Sequence, residues 1–229
     1  MLGGGRVRGI SDLVSRFGGR RGTFWATLER GSLVVRDGGD GVFPTRGLGR
    51  FLDSLRGRDA PVVLDIGAVV GANVTFFGEQ LGCKLLLEDL SVELERLARQ
   101  DGGDDPATSL RLRSTQEDAT VDGVLCWDVL ERVDITRGQA LADEFTRILR
   151  PGGVLLVMFS TETRAARGHT KYEIVDHTTL RHRFCASQHV QQRVLQSREV
   201  TRMFNGLAVA DSFLLTHRMR EMLFRKVGH

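Results

Sequence analysis

The sequence is poor in several residue types, and each shortage narrows the class of protein. Of its 229 residues only 3 are cysteines, and Cys83, Cys126 and Cys185 lie too far apart for a paired motif. This spacing argues against a disulfide framework and against a cysteine zinc site, so we expect a reducing, cytoplasmic location. The longest uninterrupted apolar run, Val154–Phe159, is far too short to span a membrane. The first residues also lack the apolar stretch of a secretory signal.

Lysine is scarce, and the charge is unevenly distributed along the chain. Residues 1–60 and 161–229 have net charges of +5 and +6, whereas residues 61–160 carry 9 basic and 17 acidic side chains, a net charge of −8. An acidic centre between basic flanks argues against a uniform nucleic-acid-binding surface. Neither a membrane nor a nucleic acid is therefore an expected partner, and the oligomeric state stays open.

Strand and helix patterns alternate from Pro61 onward. The order predicts an α/β protein with a Rossmann-like, seven-stranded, mostly parallel sheet and helices on both faces. Two further segments are separated by Thr216–Arg218 and predict that the sheet ends in an antiparallel hairpin. The predicted strands are Val62–Ile66, Cys83–Leu87, Leu110–Arg113, Val121–Cys126, Val154–Phe159, Leu207–Leu215 and Met219–Val227, and the helices between them are Ala72–Leu81, Ser91–Gln100 and Thr136–Leu149.

The ends of the chain have less regular patterns. Residues 1–60 are rich in glycine and predict a small appendage that either packs on the core or covers the site as a lid, with a flexible tail as the alternative. Within it, Thr45 is a suitable cap for a helix through Leu55. Residues 61–229 form the main predicted domain. Within it, residues 160–196 interrupt the alternation of strands and helices and are predicted to form an excursion.

The clearest ligand signal is the segment that joins the first predicted strand to its helix. In open parallel sheets, ligands bind beyond the carboxyl ends of the strands, and Gly67 lets the backbone turn there without a Cβ in the way. Gly71 is expected to permit close packing at the helix start. Asp89, preceded by Glu88, follows the second strand, where a carboxylate accepts hydrogen bonds from both hydroxyls of a ribose. Val69 stands where a dinucleotide fingerprint has glycine, which favours a mononucleoside ligand over a pyrophosphate.

Four ordered segments resemble one family, the class I S-adenosylmethionine-dependent methyltransferases. VVLDIGAVVGAN at 62–73 is similar to their motif V-L-D-x-G-x-G-x-G, and EDLSVEL at 88–94 to the acidic stretch after their second strand. VDGVLCWDVLERV at 121–133 and ILRPGGVL at 148–155 resemble the segments around their fourth and fifth strands. Residues 61–229 would then be a class I methyltransferase-like domain. This chain departs from the family at Val69, in place of a glycine, and at Arg132, where histidine is common.

The resemblance implies S-adenosyl-L-methionine as cofactor, bound in a crevice at the carboxyl ends of the parallel strands. It also implies a role for each residue that lines this crevice. Asp65 would orient the loop or meet the amino group of the methionine portion, and Asp89 would hold the ribose, with Glu88 as the alternate. The remaining implied cofactor contacts are Gly67, Ala68 and Gly71 in the loop, Thr115 and Gln116 beside the adenine, and Cys126 and Trp127 after the fourth strand.

The methyl acceptor is expected to be a small molecule. Trp127, His169 and Tyr172 are its candidate contacts, and Asp128 is the candidate general base, with capping of the short turn after it as the alternative. The N/D-P-P-Y/F tetrad of amide- and nucleobase-modifying relatives is missing. No metal is expected, because the spacing of His177, His182, Cys185 and His189 fits no common zinc pattern.

Two other functions remain open at this point. One is a catalytically silent relative that acts as a binding or scaffold protein. The other is a nicotinamide-dependent oxidoreductase, which would have to tolerate Val69 and which lacks a Tyr-x-x-x-Lys pair. Binding of S-adenosylhomocysteine compared with NADH separates these possibilities.

Overall fold

The computed structural model describes residues 41–99, 116–163, 167–187 and 192–228. These residues form two β-sheets and five α-helices. The strands are β1 (Gly41–Pro44), β2 (Val62–Ile66), β3 (Lys84–Glu88), β4 (Val121–Cys126), β5 (Leu149–Ser160), β6 (Gly168–Asp176), β7 (Thr179–Ala186), β8 (Leu207–Leu214) and β9 (Met219–Lys226). The α-helices are α1 (Gly47–Leu55), α2 (Gly71–Thr75), α3 (Ser91–Arg99), α4 (Ile135–Ile148) and α5 (Ser197–Met203).

The larger sheet has the strand order β3-β2-β4-β5-β9-β8. Strands β3, β2, β4 and β5 run parallel, and β9 and β8 follow as an antiparallel hairpin. The predicted α/β class, the mostly parallel sheet and its final hairpin are therefore confirmed. Six strands of this sheet belong to the described residues, and the predicted strand Leu110–Arg113 lies outside them.

Side chains that alternate along β4 divide the core into two layers. Val124 and Cys126 pack in one layer with Phe145 of α4, whereas Leu125 packs in the other with Phe51 of α1. Successive strand residues point to opposite faces of a sheet, so each face receives its own helix layer. Helices thus cover both faces, as predicted.

The helix after β2 differs from its prediction. The helix expected over Ala72–Leu81 is α only through Thr75 and continues as a π-helical turn at Phe76–Gln80. Both Phe76 and Phe77 are buried there, with their rings edge to face at 5.5 Å. Both rings belong to the core layer that also contains Phe51.

The smaller sheet joins two distant parts of the chain. Its strand order is β1-β7-β6, and β1 pairs antiparallel with the first half of β7. Strands β6 and β7 come from the predicted excursion, and β1 comes from the predicted appendage. Of that appendage, residues 1–40 lie outside the described part of the chain, so a lid there stays a prediction.

Helix α1 lies against the larger sheet through one close approach and one buried carboxylate. A Cβ on Gly123 of β4 would stand 2.6 Å from the ring of Phe51, so only glycine leaves room for this ring. Glu221 of β9 has 0% exposure and accepts from the backbone N–H groups of Arg46 at 2.9 Å and Gly47 at 2.7 Å. The Thr45 hydroxyl also donates to Glu221. The carboxylate thus satisfies the free N–H groups at the start of α1.

We expect Glu221→Gln to lower the free energy of unfolding by about 2–4 kcal/mol, because charge-assisted hydrogen bonds are lost and an amide N–H would face backbone donors. Urea unfolding followed by circular dichroism measures the change. Glu79→Gln, at an exposed position of the π-helical turn, is the matched control and should stay within about 0.5 kcal/mol. Equal stabilities of the two variants would contradict this role for Glu221.

Candidate functional site

The turn after β2 has the backbone geometry expected of a ligand loop. Gly67 has φ of +151°, which side-chain-bearing residues rarely adopt, and its N–H donates to the backbone oxygen of Glu88 at 3.1 Å. A Cβ at Gly67 would come within 3.0 Å of the Trp127 ring. Glycine is therefore required by both the dihedral angle and the close approach of the indole.

Trp127 is held on three sides at the carboxyl end of β4. Its Nε1–H donates to Asp65 Oδ1 at 2.5 Å, and its ring stacks on Tyr172 of β6 with centroids 5.2 Å apart and planes 8° apart. Both aromatic side chains are buried. The structure thus brings together Asp65, Gly67, Trp127 and Tyr172, four of the predicted site residues.

Asp65 is buried beneath this indole. Burial raises its pKa to about 6, against the opposing effect of hydrogen bonds from Trp127 and Asn73. In an apolar setting the charged form of a carboxyl is disfavoured, and the two donors recover only part of that cost. Asp65 consequently positions Trp127 and the loop, which is one of the two roles implied by the sequence.

Asn73 links the loop to the smaller sheet, although it is not among the predicted site residues. Its Nδ2–H donates to the backbone oxygen of Tyr172 at 2.9 Å, and its Oδ1 accepts from Ile174 N–H at 2.8 Å. The side chain is 1% exposed. The available signal was an amide in the first turn of the helix after the glycine turn, on the face that points inward.

The two acidic residues after β3 have different environments. The Glu88 side chain is buried, whereas Asp89 is exposed and its Oδ1 accepts from Ser91 N–H at 2.8 Å at the start of α3. Partial burial raises the pKa of Asp89, but hydrogen bonds from Ser91 and from the backbone of Val69 outweigh it, so the pKa is lowered. Asp89 is thus an ionised carboxylate beside the loop, with access to solvent.

Other loop positions differ in what they contribute. The Val69 side chain is 42% exposed, so it projects away from the core. The close packing expected at Gly71 is wrong: within the described part of the chain, a Cβ there would meet no atom within 4 Å. Ala68 is half-buried.

Of the two residues predicted beside the adenine, one belongs to the described residues. The backbone oxygen of Gln116 accepts from Arg147 at 2.7 Å, whereas Thr115 lies outside the described residues.

Beyond β4 the chain enters a 3₁₀ turn, Asp128–Arg132, whose polar side chains are buried. Asp128 Oδ1 lies 3.2 Å from Arg132 Nη2, and its Oδ2 accepts from Thr170 N–H at 3.0 Å and from Gln192 at 3.4 Å. The alternative in which Asp128 caps this turn is wrong, since its oxygens bind other groups and the turn has no side-chain cap. Asp128 ties the turn to β6 instead.

The charges of this ion pair act on both Cys126 and His169. Burial raises the pKa of the Cys126 thiol to about 12, so it stays protonated and unreactive at neutral pH. Burial also lowers the pKa of His169, as does the positive charge of Arg132, against the opposite effect of Asp128. Of the candidate acceptor contacts, Trp127 and Tyr172 stack on each other, whereas His169 precedes Tyr172 by three residues on β6 and points to the opposite face of that strand.

The family comparison agrees with this geometry. Residues 64–157 match a family model described as a methyltransferase domain. The predicted resemblance to class I S-adenosylmethionine-dependent methyltransferases is confirmed. This methyltransferase domain match extends from β2 into β5 and contains Asp65, the glycine turn, the acidic pair and Trp127. It also supports the predicted cofactor, S-adenosyl-L-methionine.

Solved structures with the same fold include two methyltransferases. One is the 1,6-didemethyltoxoflavin-N1-methyltransferase of Burkholderia thailandensis with bound 1,6-didemethyltoxoflavin and S-adenosylhomocysteine, at 20% identity and a TM-score of 0.51, covering 80% of this chain and 78% of that one. The other is phosphoethanolamine N-methyltransferase 2 of Haemonchus contortus in complex with S-adenosyl-L-methionine, at 14% identity and a TM-score of 0.50, covering 79% and 52%. At these identities the likeness shows the fold alone. No curated protein matches the sequence.

The described residues offer neither a membrane-spanning helix nor a cluster of metal ligands. None of the helices in those ranges is long and apolar enough to cross a bilayer. The same ranges contain no group of three or more histidine, cysteine or acidic side chains arranged to hold a metal ion. His189, one of the four residues whose spacing fits no zinc pattern, lies outside them.

The raised pKa of Asp65 predicts a pH-dependent stability. Its pKa is about 6 in the folded state and about 3.9 in an unfolded chain. The free energy of unfolding therefore falls by about 3 kcal/mol as pH rises from 4 to 6, because the unfolded carboxyl ionises in this range while the buried one stays protonated. Asp65→Asn should remove this loss. The free energy of unfolding of the variant, measured with urea, should therefore increase relative to that of the wild type between pH 4 and pH 7.

Asp89→Asn is the matched comparison for this pH experiment. The pKa of Asp89 is lowered in the folded state, so its stabilisation is present above the unfolded pKa and disappears as pH falls through the folded value. Its variant should lose stability relative to the wild type at pH 7. Parallel pH profiles for the two variants would refute the assignment for Asp65.

Proposed function

We propose that this protein transfers a methyl group from S-adenosyl-L-methionine to a small-molecule acceptor. The observation that carries the proposal is the glycine turn at Gly67, closed on one side by the buried Trp127 and on the other by the ionised Asp89. A turn without a Cβ, next to a solvent-accessible carboxylate, has the shape and charge that the nucleoside and the amino-acid portion of this cofactor require.

Each residue of the crevice has a proposed part in holding the cofactor. The backbone of Gly67 and Ala68 would bind the methionine portion, and Asp89 would accept from the ribose hydroxyls. Glu88 is the less suitable ribose ligand because its side chain is buried. The remaining proposed contacts are Asp65, Gly71, Thr115, Gln116, Cys126 and Trp127.

The protein contributes mainly positioning to this reaction. The cofactor supplies an activated sulfonium methyl group, and in-line alignment with a nucleophile is worth ~7–11 kcal/mol of the barrier. The stacked pair Trp127–Tyr172 excludes water from the wall next to the loop. Asp128 is less suited to act as a general base than its place in the sequence indicates, because Arg132, Thr170 and Gln192 all engage its oxygens.

Ligand binding by the purified protein tests the proposal directly. S-adenosylhomocysteine should bind in calorimetry, and at 100 times its Kd it should add about 2.7 kcal/mol to the stability. NADH at the same concentration should have no effect. Stabilisation by NADH alone would favour the oxidoreductase alternative, and binding of neither ligand would favour a silent relative that has lost the cofactor.

We expect Asp89→Asn to weaken S-adenosylhomocysteine binding about 10- to 100-fold, because hydrogen bonds to a charged acceptor are worth about 1.5–3 kcal/mol. Calorimetry at pH 7.5 measures the Kd. Asp53→Asn, an exposed position on α1, is the matched control and should leave the Kd unchanged. A Kd for the Asp89 variant equal to that of the control would remove Asp89 from the cofactor site.

A further inference from the structure

The guanidinium of Arg132 is buried with most of its hydrogen-bonding capacity unused. Its side chain is 1% exposed, and Nη2 lies 3.2 Å from Asp128 Oδ1. Within the described residues, the buried Nε and Nη1 have no hydrogen-bond partner. These two nitrogens carry three of the five N–H bonds of a guanidinium. Because arginine stays protonated in proteins, this is a buried cation with donors left open.

The neighbouring carboxylate is not free to satisfy these donors. Asp128 Oδ2 already accepts from Thr170 N–H at 3.0 Å and from Gln192 Nε2 at 3.4 Å, which fixes the carboxylate between the 3₁₀ turn and β6. A buried donor without an acceptor destabilises a folded protein, and the penalty is larger for a charged group. An acceptor atom supplied by a bound ligand would remove this penalty for the Arg132 donors.

The location of these donors points to the acceptor side of the crevice. Arg132 is five residues beyond Trp127, and its charge acts on both the Cys126 thiol and the His169 ring. His169 Nε2 is also buried without a hydrogen-bond partner in the described ranges. The two groups are linked through Asp128, because Arg132 Nη2 lies 3.2 Å from Asp128 Oδ1 and the N–H of Thr170, the residue after His169, donates to Asp128 Oδ2. The backbone proposed for the cofactor's carboxylate is at Gly67 and Ala68 instead.

We propose that Arg132 and His169 form an anion subsite, and that the methyl acceptor carries a carboxylate or phosphate group that binds there. The inference rests on the proposed methyltransferase function and specifies its substrate class. A carboxylate or phosphate matches the planar fork of a guanidinium better than a neutral carbonyl does. The negative charge of the ligand would lie close to Asp128. Two further charged side chains, the basic Lys171 and the acidic Glu95, act on His169 with opposite signs.

The test uses the full chain loaded with S-adenosylhomocysteine and two anionic probes, benzoate and phenyl phosphate, with benzamide as the neutral counterpart. Calorimetry and thermal shift measure the affinities for the wild type, Arg132→Met and Arg132→Lys. At least one anionic probe should bind the wild type in the millimolar range and Arg132→Met at least 10-fold more weakly. Arg132→Lys keeps the charge opposite Asp128 but loses the fork, so an intermediate affinity is expected.

Arg58→Met is the matched control. Arg58 also pairs with a buried aspartate, Asp122, at 2.7 Å, but at the opposite end of β4. This variant should retain the anion affinity of the wild type. If Arg132→Met does not fold, the comparison of Arg132→Lys with Arg58→Met decides the question, because both should fold and only the first should bind the probes more weakly.

Several results would overturn the subsite. They are equal anion affinity with and without the Arg132 side chain, equal binding of benzamide and benzoate, or no anionic probe bound by the wild type at 20 mM. A more than 10-fold weaker Kd for S-adenosylhomocysteine in Arg132→Met would place the cofactor's own carboxylate at Arg132 instead. Failure of the wild type to bind S-adenosylhomocysteine contradicts the proposed function, and the probe affinities of the unloaded protein still test the anion subsite separately.

Discussion

The crevice depends on the placement of one indole ring. Trp127 occupies the space that a side chain at position 67 would fill, donates to the buried Asp65 and stacks on Tyr172. These three contacts come from β2, from the turn after it and from β6, so the ring joins the parallel sheet to the smaller sheet. The carboxyl of Asp65 is buried where it accepts the indole N–H. This burial is the physical reason for its raised pKa.

The strands of the larger sheet were predictable from patterns within short stretches of the sequence. Strands buried on both faces are continuous apolar runs, and Val62–Ile66 and Val121–Cys126 have the bounds predicted for them. The terminal hairpin was equally predictable, because two predicted strands separated by only three residues can pair only in antiparallel orientation. The glycine turn and the acidic pair were predictable for the same reason: their chemistry is local to a few consecutive residues.

The polar contacts that hold the site and the start of α1 in place are not local, and they were not predictable. Asn73 reaches Ile174, Asp128 reaches Thr170, and Glu221 reaches Gly47. Each is a polar side chain whose partner is a backbone N–H far away in the sequence, and a backbone N–H has no residue-type signature. The π-helical turn after α2 was not predicted either, and the burial of both Phe76 and Phe77 in it depends on the core that receives the rings.

The position of β1 and α1 has a consequence for the variation of this sequence among its relatives. Phe43 of β1 packs on His182 of β7 with ring centroids 4.6 Å apart, and the Phe51 ring fits only because Gly123 has no side chain. Residues separated by more than 70 positions in the chain are therefore sterically dependent on one another. In related proteins we expect them to coevolve, so that a larger residue at position 123 accompanies a smaller one at position 51.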